Sequence, residues 1–276
     1  MYTAGIWEEI APQDDYKSPI DIKNVEAGRT SKANPVGYNV TYLYPHNGLG
    51  DLFRILANHC SIKYEKRVVS IDIRNKKLEF SDGSKEIYDR LMATLPLNQL
   101  LEFSNLKTKS KNDPYTSVLV FNIGAVKGKN CPKEHWLYIP ESRAGFHRVG
   151  FYSNVDSSFL PKSARADSSL VSIYVEKAYK GGLKPTEEEI QRLCKEVVQE
   201  LQQWQFINED EIVDPTWVEV AYTWAYPQSR WRQEAMSLLQ EQDIFPVGRY
   251  ARWIFQGIAD SIRDGFIVGS SFKSST

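Results

Sequence analysis

The sequence predicts an α+β chain, with mixed α/β character, built on an antiparallel sheet with flanking helices. Three observations carry this. Short stretches rich in β-branched and aromatic residues follow one another closely from residue 116 onward, and close sequential strands favour antiparallel pairing. An Asp82-Gly83 dipeptide sits between two apolar runs, where both residues tolerate the positive φ of a hairpin turn. A single strongly amphipathic segment interrupts the strands, which makes it a helix packed on the sheet.

Taken in order, residues 1–40 are polar, rich in Pro, Asp and Lys, and read as loop with one short helix. In "YLYPHNGLGDLFRILANH" a helix follows Gly50, with Leu52, Phe53, Ile55 and Leu56 on its apolar side. "RVVSIDIRNKKLEFSDGSKEIYDRLMATLPL" reads as strand, turn, strand, Asp-Gly turn, strand. Further strands are expected at 116–126, 134–139, 146–153, 169–178 and 216–225. The interrupting helix starts at Thr186, where Glu189 completes a capping box, and Ile190, Leu193, Val197, Leu201 and Trp204 recur at helical spacing. That stripe reads as core.

Composition narrows the function. The chain has 276 residues and a net charge of −1, which leaves no basic face for nucleic acid. Ser229-Arg230-Trp231-Arg232 reads as a solvated edge. Cys60, Cys131 and Cys194 are widely spaced without a CxxC pair, which fits a reducing cytoplasm better than a disulfide framework or zinc site. No apolar run reaches the roughly 18 to 20 residues of a membrane span, and no signal peptide is expected. His46, His59, His135 and His147 have no metal-ligand spacing, so no metal is expected. The acidic runs "NEDEIVD" and "TEEE" read as a loop and a helix start. A strand–GxGxxG–helix unit, the mark of a dinucleotide site, is absent; "NGLGDL" lacks the third glycine.

The most informative stretch is "GRYARWIFQGIADSIRDG", residues 248–265. Gly248 lets a ligand approach bare backbone. A helix starting near Ile258 would turn its N–H groups and partial positive charge towards whatever lies in front of it, suiting a carbonyl or phosphate. Read alone, the stretch is equally an amphipathic C-terminal helix with an arginine-rich surface.

This stretch resembles the C-terminal flavin-binding segment of glutathione-reductase-type FAD enzymes, in particular UDP-galactopyranose mutases, next to flavin amine oxidases and protoporphyrinogen oxidase. Other segments resemble the family in order: the tyrosine-proline, glycine-rich "YLYPHNGLGDLFRILA", the strand pair from Arg67 that ends at Thr94-Leu95-Pro96, and "HWLYIPES", "GFHRVGFYSN" and "WAYPQS". The resemblance implies an FAD cofactor contacted by Val68, Thr94, Gly248, Arg249, Ile258 and Ala259. It implies a nucleotide-sugar or similar substrate contacted by Tyr138, Arg148, Tyr226, Arg249 and Trp253, with Arg148 and Arg249 facing one diphosphate. Singly, Arg148 reads as a strand-face arginine paired with a neighbour such as Glu141, and Tyr138 and Tyr226 as core aromatics. Residues 1–98 and 243–276 would form a partial FAD-binding domain, and 99–242 an antiparallel-sheet substrate domain.

The implied activity is nucleotide-sugar ring isomerisation in cell-surface polysaccharide biosynthesis. The alternatives are a flavin oxidase of the amine or porphyrinogen type, or a non-catalytic nucleotide-sugar-binding fragment. No catalytic residue is assigned. Two departures stand out. Phe255 lacks the hydroxyl of the family's substrate tyrosine, and the GxGxxG half is missing. The chain therefore reads as a C-terminal portion, either a truncated product or one part of a split protein. Its expected partners are a separate N-terminal flavin-binding half or a second copy of itself. With one side of the cofactor site missing, Leu52, Leu56, Ile258 and Ile262 are expected to expose apolar surface.

Overall fold

The computed structural model of the chain describes residues 4–6, 9–10, 44–45 and 48–273. The expected loop and short helix over 1–40, together with His46, fall almost wholly outside them. In chain order the elements are α1 (Leu49–Ala57), β1 (Val68–Asp72), β2 (Lys77–Phe80), β3 (Lys85–Ile87), β4 (Leu91–Ala93), α2 (Leu97–Phe103), β5 (Tyr115–Lys127), β6 (Trp136–Tyr138), β7 (Arg148–Phe151), α3 (Tyr152–Val155), β8 (Leu170–Lys180), α4 (Glu187–Gln203), β9 (Ile207–Thr223), α5 (Trp231–Gln240), β10 (Ile244–Pro246), α6 (Gly248–Ala251) and α7 (Ile258–Lys273). Helices and mainly antiparallel strands make this an α+β fold. They divide into two compact units, one of residues 1–9, 44–61 and 115–222, the other of 10–43, 62–114 and 223–276.

The first unit is a five-stranded sheet in the order β6-β7-β8-β5-β9. β5 and β8 pair antiparallel from Thr116↔Lys180 to Val126↔Leu170, the long register that fixes the sheet. Side chains alternate across a strand. Leu119, Phe121 and Ile123 of β5 and Val171, Ile173 and Val175 of β8 therefore point to one face and form the core with α4. The capping box is present: Thr186 Oγ1 accepts from the Glu189 amide and the Glu189 carboxylate accepts from the Thr186 amide. Ile190, Leu193, Val197 and Leu201 are buried against the sheet, and Trp204 sets its ring edge-on to Phe146 (5.5 Å) and Phe206 (5.4 Å).

β9 begins well before the expected 216, and "NEDEIVD" lies within it rather than in a loop. The reason is position. β9 is a sheet edge, where acidic residues and Pro215 are tolerated because one row of backbone groups faces solvent. Polar sequence concealed the strand.

The second unit holds the meander β1-β2-β3 and a parallel pair, β4 with β10. The Asp82-Gly83 turn forms as expected, with Gly83 at φ 81°. Leu97, Leu100, Trp231, Leu239 and Ile244 are fully buried in this unit. No helix among the described residues is long and apolar enough to cross a membrane. In α1 no residue is buried and Phe53, Ile55 and Leu56 are exposed, with Leu52 half-buried. On α7, Ile258, Phe266 and Ile267 are exposed and Ile262 is half-buried.

Candidate functional site

In the first unit, the sheet face turned away from α4 carries the polar chemistry. Directly opposed residues of antiparallel strands share a face. Register therefore assembles the row Tyr138–Arg148–Glu176–Val120 and, beside it, Trp136–Gly150–Tyr174–Asn122. Tyr138 is 52% exposed, whereas Glu176 is buried. Gly150 has a steric duty, since a Cβ there would fall inside the Tyr174 ring. Tyr174 packs on Tyr152 at 4.5 Å, and Tyr152 stacks on Phe159 at 4.7 Å.

Glu176 organises the first row. Oε1 accepts from Arg148 Nη2, and Tyr222 donates to Oε2 at 3.5 Å. His147 Nε2 lies 3.6 Å from Oε2. Burial alone would raise the Glu176 carboxyl pKa, but the contact from His147 and the Arg148 charge outweigh it and hold it below the usual range. Burial opposes the Arg148 charge too, yet Tyr222 and Glu176 outweigh it and raise the guanidinium further. Burial pushes the Tyr174 hydroxyl up to about 12. The partner of Arg148 is thus Glu176 and not Glu141: cross-strand register, invisible in linear sequence, decides the pairing.

In the second unit, β4 and β10 run parallel, and the Val247 amide donates to Ala93 O at 2.9 Å just past them. Thr94 and Gly248 therefore emerge side by side at the carboxyl ends of a parallel pair, where open α/β sheets bind ligands. Gly248 sits at φ 80° with open space where a side chain would project. Thr94 is exposed. Arg249 lies over Phe255 at 4.4 Å and donates from Nη1 to Gln256 O at 3.3 Å. The following turn is tied down by Asp264, which accepts from Arg252 at 2.7 Å and Gln256 at 3.0 Å. Asp260 accepts from the Gly257 amide at 3.1 Å and so caps α7, whose first residues, Ile258 and Ala259, are exposed. Val68 opens β1 opposite Phe80, beside a bulge.

All six residues expected at the cofactor thus lie in the second unit, as do Tyr226 and Trp253; Tyr138 and Arg148 lie in the first. The Tyr226 amide donates to Asp113 at 3.0 Å, and Lys111 sits 4.3 Å above its ring. Trp253 is only 4% exposed, its indole N–H donating to Trp224 O at 2.9 Å and its ring edge-on to Trp231. Sequence reading did not single out Glu176, Tyr174 or Gly150. The available signal was the period of two in "VSIYVEKAY", which places Tyr174 and Glu176 on one face of a buried strand.

The architecture is α+β, and solved structures share it. The chain is similar to a crystal structure of reduced UDP-galactopyranose mutase, at 20% identity over 91% of this chain and 57% of that one, with a TM-score of 0.69. It is also similar to a provisionally assigned protoporphyrinogen oxidase from Exiguobacterium sp. 255-15, at 14% identity over 83% of this chain and 51% of that one, with a TM-score of 0.59. At such identities the likeness is one of fold. The chain spans 57% and 51% of the lengths of these two proteins. No family model matches the sequence.

Proposed function

We propose that this chain is part of an FAD-dependent flavoprotein related to UDP-galactopyranose mutase, acting on a nucleotide sugar. The observation that carries this reading is the pairing of Thr94 and Gly248 at the carboxyl ends of β4 and β10, followed by the exposed start of α7, within a fold similar to that enzyme's. These residues fit one side of FAD. Gly248 leaves open space at a left-handed backbone position, Arg249 offers a cation, and α7 offers a helix N-terminus, the donor set that an anionic cofactor needs.

Val68, Thr94, Gly248, Arg249, Ile258 and Ala259 would hold FAD, which supplies two-electron chemistry when bound. The chain's own share is to bind and orient. In the second unit, Tyr226 and Arg249 are candidates for the substrate as well; in the first, Tyr138 and Arg148 are. A segment bearing the nucleotide-binding loop fits the exposed apolar side chains Ile258, Phe266 and Ile267 of α7.

Two measurements test this. After incubation with FAD and gel filtration, the chain alone is expected to be colourless, because the glycine-loop helix that normally grips a pyrophosphate is absent from the sequence. A stoichiometric yellow species would show that the residues present suffice. Calorimetric titration with UDP-galactose should give saturable binding that Arg249→Ala weakens tenfold or more, since a charge-assisted bond contributes about 1.5–3 kcal/mol. No binding heat at any temperature would sink the nucleotide-sugar reading. Saturable binding that FAD never influences, even with a complementing half supplied, would favour a non-catalytic binding fragment.

A further inference from the structure

The row Tyr138–Arg148–Glu176 has an electrical property that a diphosphate site would not have. Arg148 Nη2 is bonded to Glu176 Oε1, and the two side chains are only 23% and 11% exposed. The second carboxylate oxygen faces the Tyr222 hydroxyl and His147 Nε2. A phosphate approaching the guanidinium would therefore meet a fixed carboxylate across the same short distance. In a poorly solvated site that repulsion offsets most of the attraction to the arginine. The pair presents a dipole, with donors on the guanidinium and lone pairs on the carboxylate. A hydroxyl both donates and accepts, so it can use both ends. Beside the pair stands the half-exposed ring of Tyr138, which offers apolar contact to the face of a saturated ring, while the Tyr174 ring, 5.6 Å from Arg148 Cζ, backs the guanidinium.

We infer that Glu176 is the specificity-determining residue of this face: it cancels the Arg148 charge, so that the face takes an uncharged, hydroxyl-bearing ring and turns phosphate away. The inference rests on reading this face as the substrate side. It assigns any diphosphate to Arg249 and makes Arg148 a positioning partner for hydroxyl groups.

The experiment compares three chains at pH 8 and low salt by calorimetry, with inorganic pyrophosphate and methyl galactopyranoside as probes. Glu176→Gln keeps the shape of the side chain and uncovers the arginine, so its affinity for pyrophosphate should rise at least tenfold over the native chain. An unchanged or lower affinity in a folded Glu176→Gln protein overturns the inference. The double variant Arg148→Met/Glu176→Met replaces the pair with apolar side chains, a change that buried ion pairs commonly tolerate. It should lose methyl galactopyranoside binding at least tenfold relative to the native chain. If it binds the sugar as well as the native chain does, the inference fails, and this arm decides the matter if the single variant does not fold. A Glu176→Gln chain that gains pyrophosphate beside a native chain blind to UDP-galactose leaves Glu176 as a charge filter and removes the nucleotide-sugar reading instead.

Discussion

Arg148→Met is expected to lower the stability of the chain by about 3–5 kcal/mol at neutral pH, as removal of one member of a buried ion pair does. The cost arises at Glu176. Its carboxylate, 11% exposed on the central strand β8, keeps the Tyr222 hydroxyl and His147 but loses the Arg148 charge. Changing Glu176 to Met as well should recover most of the loss, because two apolar side chains leave no charge to desolvate. Urea titrations of the native, single and double variants measure this directly. A single variant within 1 kcal/mol of the native chain would show that the pair is solvated and exchangeable. The pH dependence has a definite sign. The folded Glu176 pKa lies below the unfolded value of about 4.3, so its contribution is fully present above that value and is lost as pH falls through the lower folded value. The native chain should therefore lose stability more steeply than the double variant as pH falls below about 4.5.

How much of this was legible in sequence differs from element to element, for physical reasons. α4 could be read completely, because its cap and its stripe are local signals, fixed within a few residues of each other. β8 was placed within two residues, because its inward side chains are uniformly apolar. β9 was half hidden: an edge strand is not required to be apolar, so Asn208 to Asp214 read as loop. The partner of Arg148 could not be read at all. Glu141 is near in sequence, but Glu176 stands directly across the β7–β8 ladder, and ladder register depends on turn geometry and core packing at a distance. The glycines show the same division. Gly83 followed from a turn dipeptide, whereas the need for Gly150 exists only because Tyr174 crosses it from another strand. Trp253 marks the reverse case: a resemblance singled it out for a ligand, and the fold gives its indole N–H to Trp224. Thr94 and Gly248 were each assigned to the cofactor by resemblance, but their placement at neighbouring ends of β4 and β10 could not be read, since residues so far apart carry no mutual local signal.

Glu200 carries the other large expected effect. It lies on α4, is only 4% exposed, and turns its carboxylate to the loop that leads into β7. Oε1 accepts from the Arg143 amide at 2.9 Å, and Oε2 accepts from the Ala144 amide and the Ser142 hydroxyl, each at 2.9 Å. Ser142 Oγ in turn accepts from the Gly145 amide at 3.1 Å, and Lys177 donates to Ala144 O. One carboxylate therefore satisfies successive amides of a bend that no sheet or helix serves. That bend lies immediately before Phe146, His147 and Arg148. Glu200→Ala removes every acceptor at once. An orphaned buried amide costs about 1–3 kcal/mol; the Ala144 amide is buried and the Arg143 amide part-buried, so the loss should be about 1–4 kcal/mol, reduced to the extent that water enters the space left behind. Glu200→Gln keeps one acceptor oxygen and turns an amide donor towards the second backbone N–H, so it should recover only part of the difference. Denaturant titration gives the totals. Hydrogen exchange at the Arg143 and Ala144 amides locates the effect, because these two should speed up in the Ala variant while the β5–β8 amides keep their order of protection. An Ala variant within 0.5 kcal/mol of the native chain, with both amides still slow, would mean that the loop is held by Lys177 and Ser142 and that the carboxylate is incidental.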